Sequence, residues 1–179
     1  MNVIIDFFAD VPLVFRTSIL LGGIVLFWIL EGIIPLYSFN YKKGRHAFLN
    51  LLFTTTTAII GFGFAFLLLK STEIVNEFQF GVIHFFELPL FVEVIISLLI
   101  LDLVGAYLVH FVEHKIPWMW KFHVIHHSDK NVDVTTGLRH HPGETVFRIL
   151  FTILGVYISG ASIGIVMLYQ SLSVLFAHL

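Results

Sequence analysis

The 179-residue chain has no cysteine and carries charge on only 12% of its residues, against about a quarter in typical soluble domains. Without cysteine there can be no disulfide, thiolate zinc site or cysteine nucleophile, so any metal must be held by histidine or carboxylate. The shortage of charge argues against water as the main solvent. With 58% hydrophobic residues and 20 Phe, the apolar side chains exceed what one soluble core of this length can hide. A formal net charge of -2, with no basic stripe, removes the electrostatic case for a nucleic-acid partner. Met1 to Asp10 lacks the basic n-region and small-residue cleavage site of a signal peptide, so the whole chain is expected to be mature. No repeat, low-complexity tract or linker appears, and residues 1–179 read as a single membrane domain.

Four apolar stretches of spanning length lie at about 17–36, 47–69, 88–110 and 146–178. Pro35 and the polar Asn40 to Lys43 close the first, and Lys70 to Glu73 stop the second. The Thr54 to Thr57 run is expected to hydrogen-bond within its helix. Residues 72–87, with Phe78, Phe80, Phe85 and Phe86, suit an interfacial segment. Gly155, Gly160 and Gly164 are expected to divide the last stretch into a helical hairpin or to bend one helix. The expected fold is therefore an all-α, polytopic membrane helix bundle with a histidine-rich cap. Lys42, Lys43, Arg45, Lys115, Lys121, Lys130, Arg139 and Arg148 fall on the cap side, against Arg16 and Lys70 on the other. By the positive-inside rule the cap faces the cytoplasm. A bacterial inner membrane is the expected location, with the endoplasmic reticulum as the alternative.

Seven of the ten histidines lie between residues 110 and 144. His110 and His114 are four apart, so on a helix both imidazoles project from one face and can reach one metal. His123, His126 and His127 stand at i, i+3 and i+4 and can add ligands or bridge towards a second ion. Imidazole suits Fe, Cu, Ni and Zn. A site facing acyl chains meets C–H bonds rather than hydrolysable groups, which favours a redox metal. Asp102, two turns before His110, is expected to hold an imidazole N–H or to pair with a polar partner in the bundle. Glu113 is expected to be a solvated charge, and Glu144 either a ligand or a surface charge. His46 and His84 are expected to be interfacial or core residues. Trp118, Trp120 and Phe122 read as an aromatic belt at the lipid–water boundary. A different class of function stays open at this point: a membrane haem- or metal-binding protein without oxygenase activity, with His110 and His114 or His127 as axial ligands. A remnant with unliganded histidines is also open.

Trp120-Lys-Phe-His123-Val-Ile-His126-His127-Ser128 and Arg139-His140-His141-Pro142-Gly-Glu144, following the His110/His114 pair, resemble the phrases of the fatty acid hydroxylase/sterol desaturase superfamily. The resemblance implies a membrane bundle holding two non-haem iron ions, where dioxygen is reduced and a lipid C–H bond is hydroxylated or desaturated. Electrons would come from a b-type cytochrome or a ferredoxin and its reductase. Carried over by position, His110, His114, His123, His126, His127 and His178 are the implied metal ligands, with His140, His141 and Glu144 beside the metal or in the pocket; Asp102, read above from its place in the span, is expected to join them. Two features depart from the pattern. Phe111 replaces the usual Arg of the first box, and the final H-x2-H-H box does not occur before Leu179. The chain is therefore expected to be truncated relative to the family, and weakly active or inactive by itself.

Overall fold

A computed structural model describes residues 2–10, 12–35 and 40–177; His178 lies outside the described residues. Eight α-helices are seen among them: α1 Asn2–Asp10, α2 Leu13–Ile33, α3 Lys43–Glu77, α4 Leu90–Asp102, α5 Val109–Lys115, α6 Pro117–His127, α7 Pro142–Ser159 and α8 Ile163–Ala177. A π-helical turn, Leu103–Leu108, joins α4 to α5 without a break, and short 3-10 turns occupy Val82–Phe85 and Val134–Leu138. No strand occurs among the described residues.

Among the described residues, two stretches are long and apolar enough to cross a membrane, Lys43–Phe85 and the continuous α4–α5 rod Leu90–Lys115. At 1.5 Å per residue the 35 residues of α3 extend roughly 52 Å, beyond the ~30 Å hydrocarbon core. A core helix of a soluble protein would be mostly covered, whereas only 6% of the most apolar window of Lys43–Phe85 is buried. Ile59, Phe62 and Phe66 all lie open on its surface, as lipid-facing side chains do. The threonine run bonds back along the helix, for example Thr55 Oγ1 to Leu51 O at 3.0 Å and Thr57 Oγ1 to Thr54 O at 2.9 Å. The helix continues past Lys70, where the apolar run stops. Lys70 pairs with Glu73 on the same helix, which ends at Glu77.

The packing centres on α7, which is contacted by α3, α4, the π turn, α5 and α6. Leu68, Val75, Leu101, Val156, Ala161, Ile165 and Val166 form the core between these helices and α8. Pro142 opens α7 at a position where its missing N–H costs nothing, and Gly160 closes it in the left-handed conformation at φ 83°. The last apolar stretch thus divides at Gly160, and α8 packs on α1 and α4. Gly160 is also where the loop after α3 docks: a Cβ on Gly81, itself at φ 112°, would lie 2.3 Å from Gly160 N. Neither position tolerates a side chain.

Candidate metal centre

Four imidazoles converge at the end of the bundle where α5 meets α6. His110 Nε2 lies 3.0 Å from His114 Nε2, His114 Nε2 lies 3.1 Å from His127 Nε2, and His127 Nε2 lies 3.0 Å from His123 Nε2. All four ligand atoms fall within 4.8 Å of one another. The two i, i+4 pairs each present one helix face, and the sharp α5–α6 junction at Ile116–Pro117 turns those faces towards each other. His123 is fully buried, while His114 and His127 sit on the open side.

The chemistry of this donor set fits a metal cation. His123 Nδ1 donates to Glu144 Oε1 at 3.0 Å, which leaves the lone pair of its Nε2 pointing into the cluster. For metal–imidazole bonds of about 2.1 Å, neighbouring nitrogens at right angles are about 3.0 Å apart. That is the spacing the three contacts show. It also leaves no room for a porphyrin plane between His110 and His114 or between His114 and His127, which argues against those pairs as haem axial ligands.

Burial, with the neighbouring His123 and His114, lowers the His127 pKa. Burial, with His140 opposite, lowers that of His126 to about 4. Both therefore stand neutral near pH 7, the form in which imidazole binds metal.

Behind His123 lies a buried ionic cluster. Glu113 and Glu144 are both fully buried, and Arg148 bridges them, Nε to Glu144 Oε1 at 2.8 Å and Nη2 to Glu113 Oε2 at 3.0 Å. Glu113 Oε2 is 3.5 Å from His123 Nδ1. The expectation that Glu113 is solvated is thus corrected: it faces the bundle interior because a cation 35 residues away meets it there. Burial would raise the Glu144 carboxyl, but hydrogen bonds from His123 and His140 and the attraction of His140 and Arg148 outweigh it and hold the group far below the usual carboxylate range. Glu144 is therefore an ionised acceptor that orients two imidazoles. A second triad with ligand atoms close enough to hold a cation consists of Glu113, His123 and Glu144.

The other sequence candidates take different places. His126 points away from the four-histidine cluster and stacks flat on His140, with centroids 4.9 Å apart and planes 6° apart. Its buried Nδ1 has no partner among the described residues. His141 caps α7, its Nδ1 accepting from Gly143 N at 2.9 Å, and packs on Phe122. Asp102 lies exposed on a groove beside His110 and His114 and makes no hydrogen bond among the described residues. Trp118 remains exposed, as a belt residue would, but Trp120 turns inward, 4.9 Å from the His114 ring and stacked on His127.

Sequence reasoning used Arg148 and Arg139 only as cap-side charges, and Arg139 as part of the family phrase, and gave neither a contact at the site. The i, i+4 spacing of Glu144 and Arg148 was the available signal for the first. Arg139 ties the end of α6 to α3, donating to Ile125 O, Ser128 Oγ and Asn50 Oδ1.

His46 belongs to a separate network. Its Nε2 lies 2.8 Å from Asp129 Oδ1 and its Nδ1 2.9 Å from Asp133 Oδ2, which also accepts from Tyr41 OH at 2.7 Å. Asp129 further accepts from Thr136, and Asp133 from Thr135. This network fastens the start of α3 to the loop that follows α6.

Comparison with known proteins agrees with this geometry. The fatty acid hydroxylase family profile matches residues 94–179, which include every histidine of the cluster. The ornithine lipid hydroxylase OlsE of Rhizobium tropici is 23% identical over 168 residues, covering 89% of this chain and 50% of that protein. The chain thus spans about half the length of this curated relative. No solved structure matches. Residues 94–179, just under half of the chain, carry the converging imidazoles and are similar to the fatty acid hydroxylase family.

Proposed function

We propose that the protein is a membrane-bound, non-haem iron oxygenase that hydroxylates a lipid with dioxygen. The observation carrying this reading is the meeting of four Nε2 atoms at 3.0–3.1 Å contacts, with His123 locked by Glu144. His110, His114, His123 and His127 would hold one iron. His126 and His140 are donors available for a second; His178, outside the described residues, is a further ligand that the family resemblance implies. Iron bound there would supply the means to reduce dioxygen and attack an unactivated C–H bond. The balance is one C–H bond and one O2 converted to C–OH and water, using two electrons and two protons. The electrons would come from a b-type cytochrome or a ferredoxin with its reductase. Desaturation is the variant outcome, in which a second hydrogen is removed instead of oxygen being inserted.

The chain's own residues orient and exclude. Glu144 and Arg148 keep His123 in the tautomer that presents Nε2. Trp120 covers His114 and His127 on one side and limits water there. The groove lined by Tyr107, Phe111, His110 and His114, about 460 Å³ in volume, opens beside the cluster and suits a lipid chain. Orientation in the membrane follows from the basic residues at this end. Lys42, Lys43 and Arg45 flank the start of α3, which the His46 network holds against the region carrying Lys115, Lys121, Lys130 and Arg139; this grouping of basic residues supports a cytoplasmic orientation of the histidine end.

Iron content of the purified protein, together with oxygen-dependent formation of a hydroxylated lipid in cells expressing it, tests the proposal. Iron-free protein after expression in iron-replete medium, or product that forms without oxygen, would overturn it.

A further inference from the structure

Asp102 is the unexplained charge of this molecule. It sits within the apolar rod Leu90–Lys115, where an ionisable side chain is costly and usually functional. The ion pairs and hydrogen bonds around the histidines leave it out. The Tyr169 hydroxyl nearby bonds Ser173 instead.

The helix itself is altered to aim this residue. In a regular α-helix, eight residues turn about 800°, which would leave Asp102 about 80° away from His110. The π turn at Leu103–Leu108 absorbs about one extra residue, which brings the net difference to about 20°. Asp102, Tyr107, His110, Phe111 and His114 then line one continuous groove. Gly105 lets the widened turn sit directly on α7, where an added Cβ would meet Thr152 Oγ1 at 3.2 Å and its Cα at 3.4 Å. A π turn is rare and unfavourable unless something retains it. Its evident consequence here is to place one carboxyl group in the same groove as two imidazoles of the metal cluster.

We infer that Asp102 is a specificity-determining residue that accepts a hydrogen bond from a hydroxyl or ammonium group on the lipid substrate, at a point roughly 12 Å along the rod from His110. This rests on the lipid-oxidation reading of the same site. Arg148, the other charged side chain on the groove, is paired with Glu113 and Glu144, and Ala106 and Phe111 are apolar, so a plain hydrocarbon would leave the carboxyl unpartnered in lipid. A substrate that already carries a donor group satisfies it and is thereby held in one register against the metal.

The test measures binding rather than turnover, using the full chain in detergent micelles and native mass spectrometry. Three probes of equal length, hexadecan-1-ol, hexadecylamine and hexadecane, compete for the protein. One or both donor-bearing probes should bind at least about tenfold more tightly than hexadecane. Preference for the alcohol would identify a hydroxylated lipid, and preference for the amine an aminolipid. Asp102→Leu, which should suit a lipid-facing helix, is expected to erase the preference. Asp102→Asn, closest in shape, should weaken the amine at least about tenfold. Equal binding of all three probes by the native chain, or a donor preference that survives Asp102→Leu, would overturn the inference. Cobalt uptake, read by its visible absorption in the same preparations, separates this from failure of the metal reading. Native chain that takes up no cobalt refutes the metal centre, whereas normal uptake without donor preference refutes only the role of Asp102.

Discussion

Two polar clusters that contain histidine, one with a single imidazole and one with four, lie at the same end of this bundle, and they differ in what their ring nitrogens face. At His46 each nitrogen meets a carboxylate, of Asp129 and of Asp133, and those carboxylates are completed by Tyr41, Thr135 and Thr136. At His110, His114, His123 and His127 the nitrogens face one another at 3.0–3.1 Å with no acidic oxygen between them. The first cluster is complete as it stands. The second gathers lone pairs that a cation would satisfy. Both are histidine-containing polar sites in a largely apolar chain, so the presence of imidazole does not separate them; the hydrogen-bond partners do.

This contrast sets the expected outcomes, with the largest first. His114→Ala, on the open side of the cluster, should weaken metal binding by more than about 100-fold, since loss even of an outer partner costs roughly 10- to 100-fold. Stability of the metal-free protein should change by no more than about 0.5 kcal/mol. Metal titration and denaturation of the same sample check both halves. Were the metal retained, the four-histidine cluster would not be the binding site.

Arg148→Met should act on both properties, because it strands the buried carboxylates of Glu113 and Glu144. Breaking a buried ion pair costs about 3–5 kcal/mol, and the partial exposure of Arg148 reduces this to about 2–3 kcal/mol. Metal affinity should fall about tenfold as His123 loses its fixed tautomer. Unchanged stability would show that the two carboxylates do not depend on this cation.

His46→Leu should do the reverse of His114→Ala. It removes the shared partner of Asp129 and Asp133 and should cost about 2 kcal/mol of stability, with metal affinity intact. A parallel loss of metal would mean that the two clusters act as one unit.

The smallest effect is a pH dependence. Burial, followed by the hydrogen bond to Asp133, raises the Tyr41 pKa well above that of a free tyrosine. A raised folded pKa contributes stability that is fully present below the unfolded value of about 10 and is lost as pH rises above it. Denaturation midpoints should therefore decline above about pH 10. Tyr41→Phe should flatten that decline and lower stability near neutrality by about 1 kcal/mol. An identical alkaline slope in the variant would assign it to other groups.

Much of this architecture follows from local spacing. The i, i+4 pairs His110/His114 and His123/His127 align on helix faces whatever surrounds them, and apolar runs of spanning length form helices because lipid offers the backbone no alternative partner. His126 shows where local spacing stops. At i+3 it lies about 60° to one side of His123, while His127 lies about 40° to the other, and only the placement of α5 selects the His127 side. His141 could equally have faced the cavity, but the start of α7 offered an unsatisfied N–H at Gly143 that its Nδ1 accepts.

The linear order of residues is enough to establish a cysteine-free, lipid-facing helical chain whose histidines are grouped in pairs, since composition and a 3.6-residue period need no distant contact. Three other features depended on segments far apart in the chain meeting in space. Glu113 is buried because Arg148 crosses to it. Asp102 joins the groove because a π turn, seated on Thr152 of α7 through Gly105, rotates it there. His46 is held between Asp129 and Asp133 of a loop more than eighty residues away. Charges and lone pairs are satisfied by whichever groups the packed helices bring within about 3 Å, and the identity of those groups is a property of the packing rather than of any one segment.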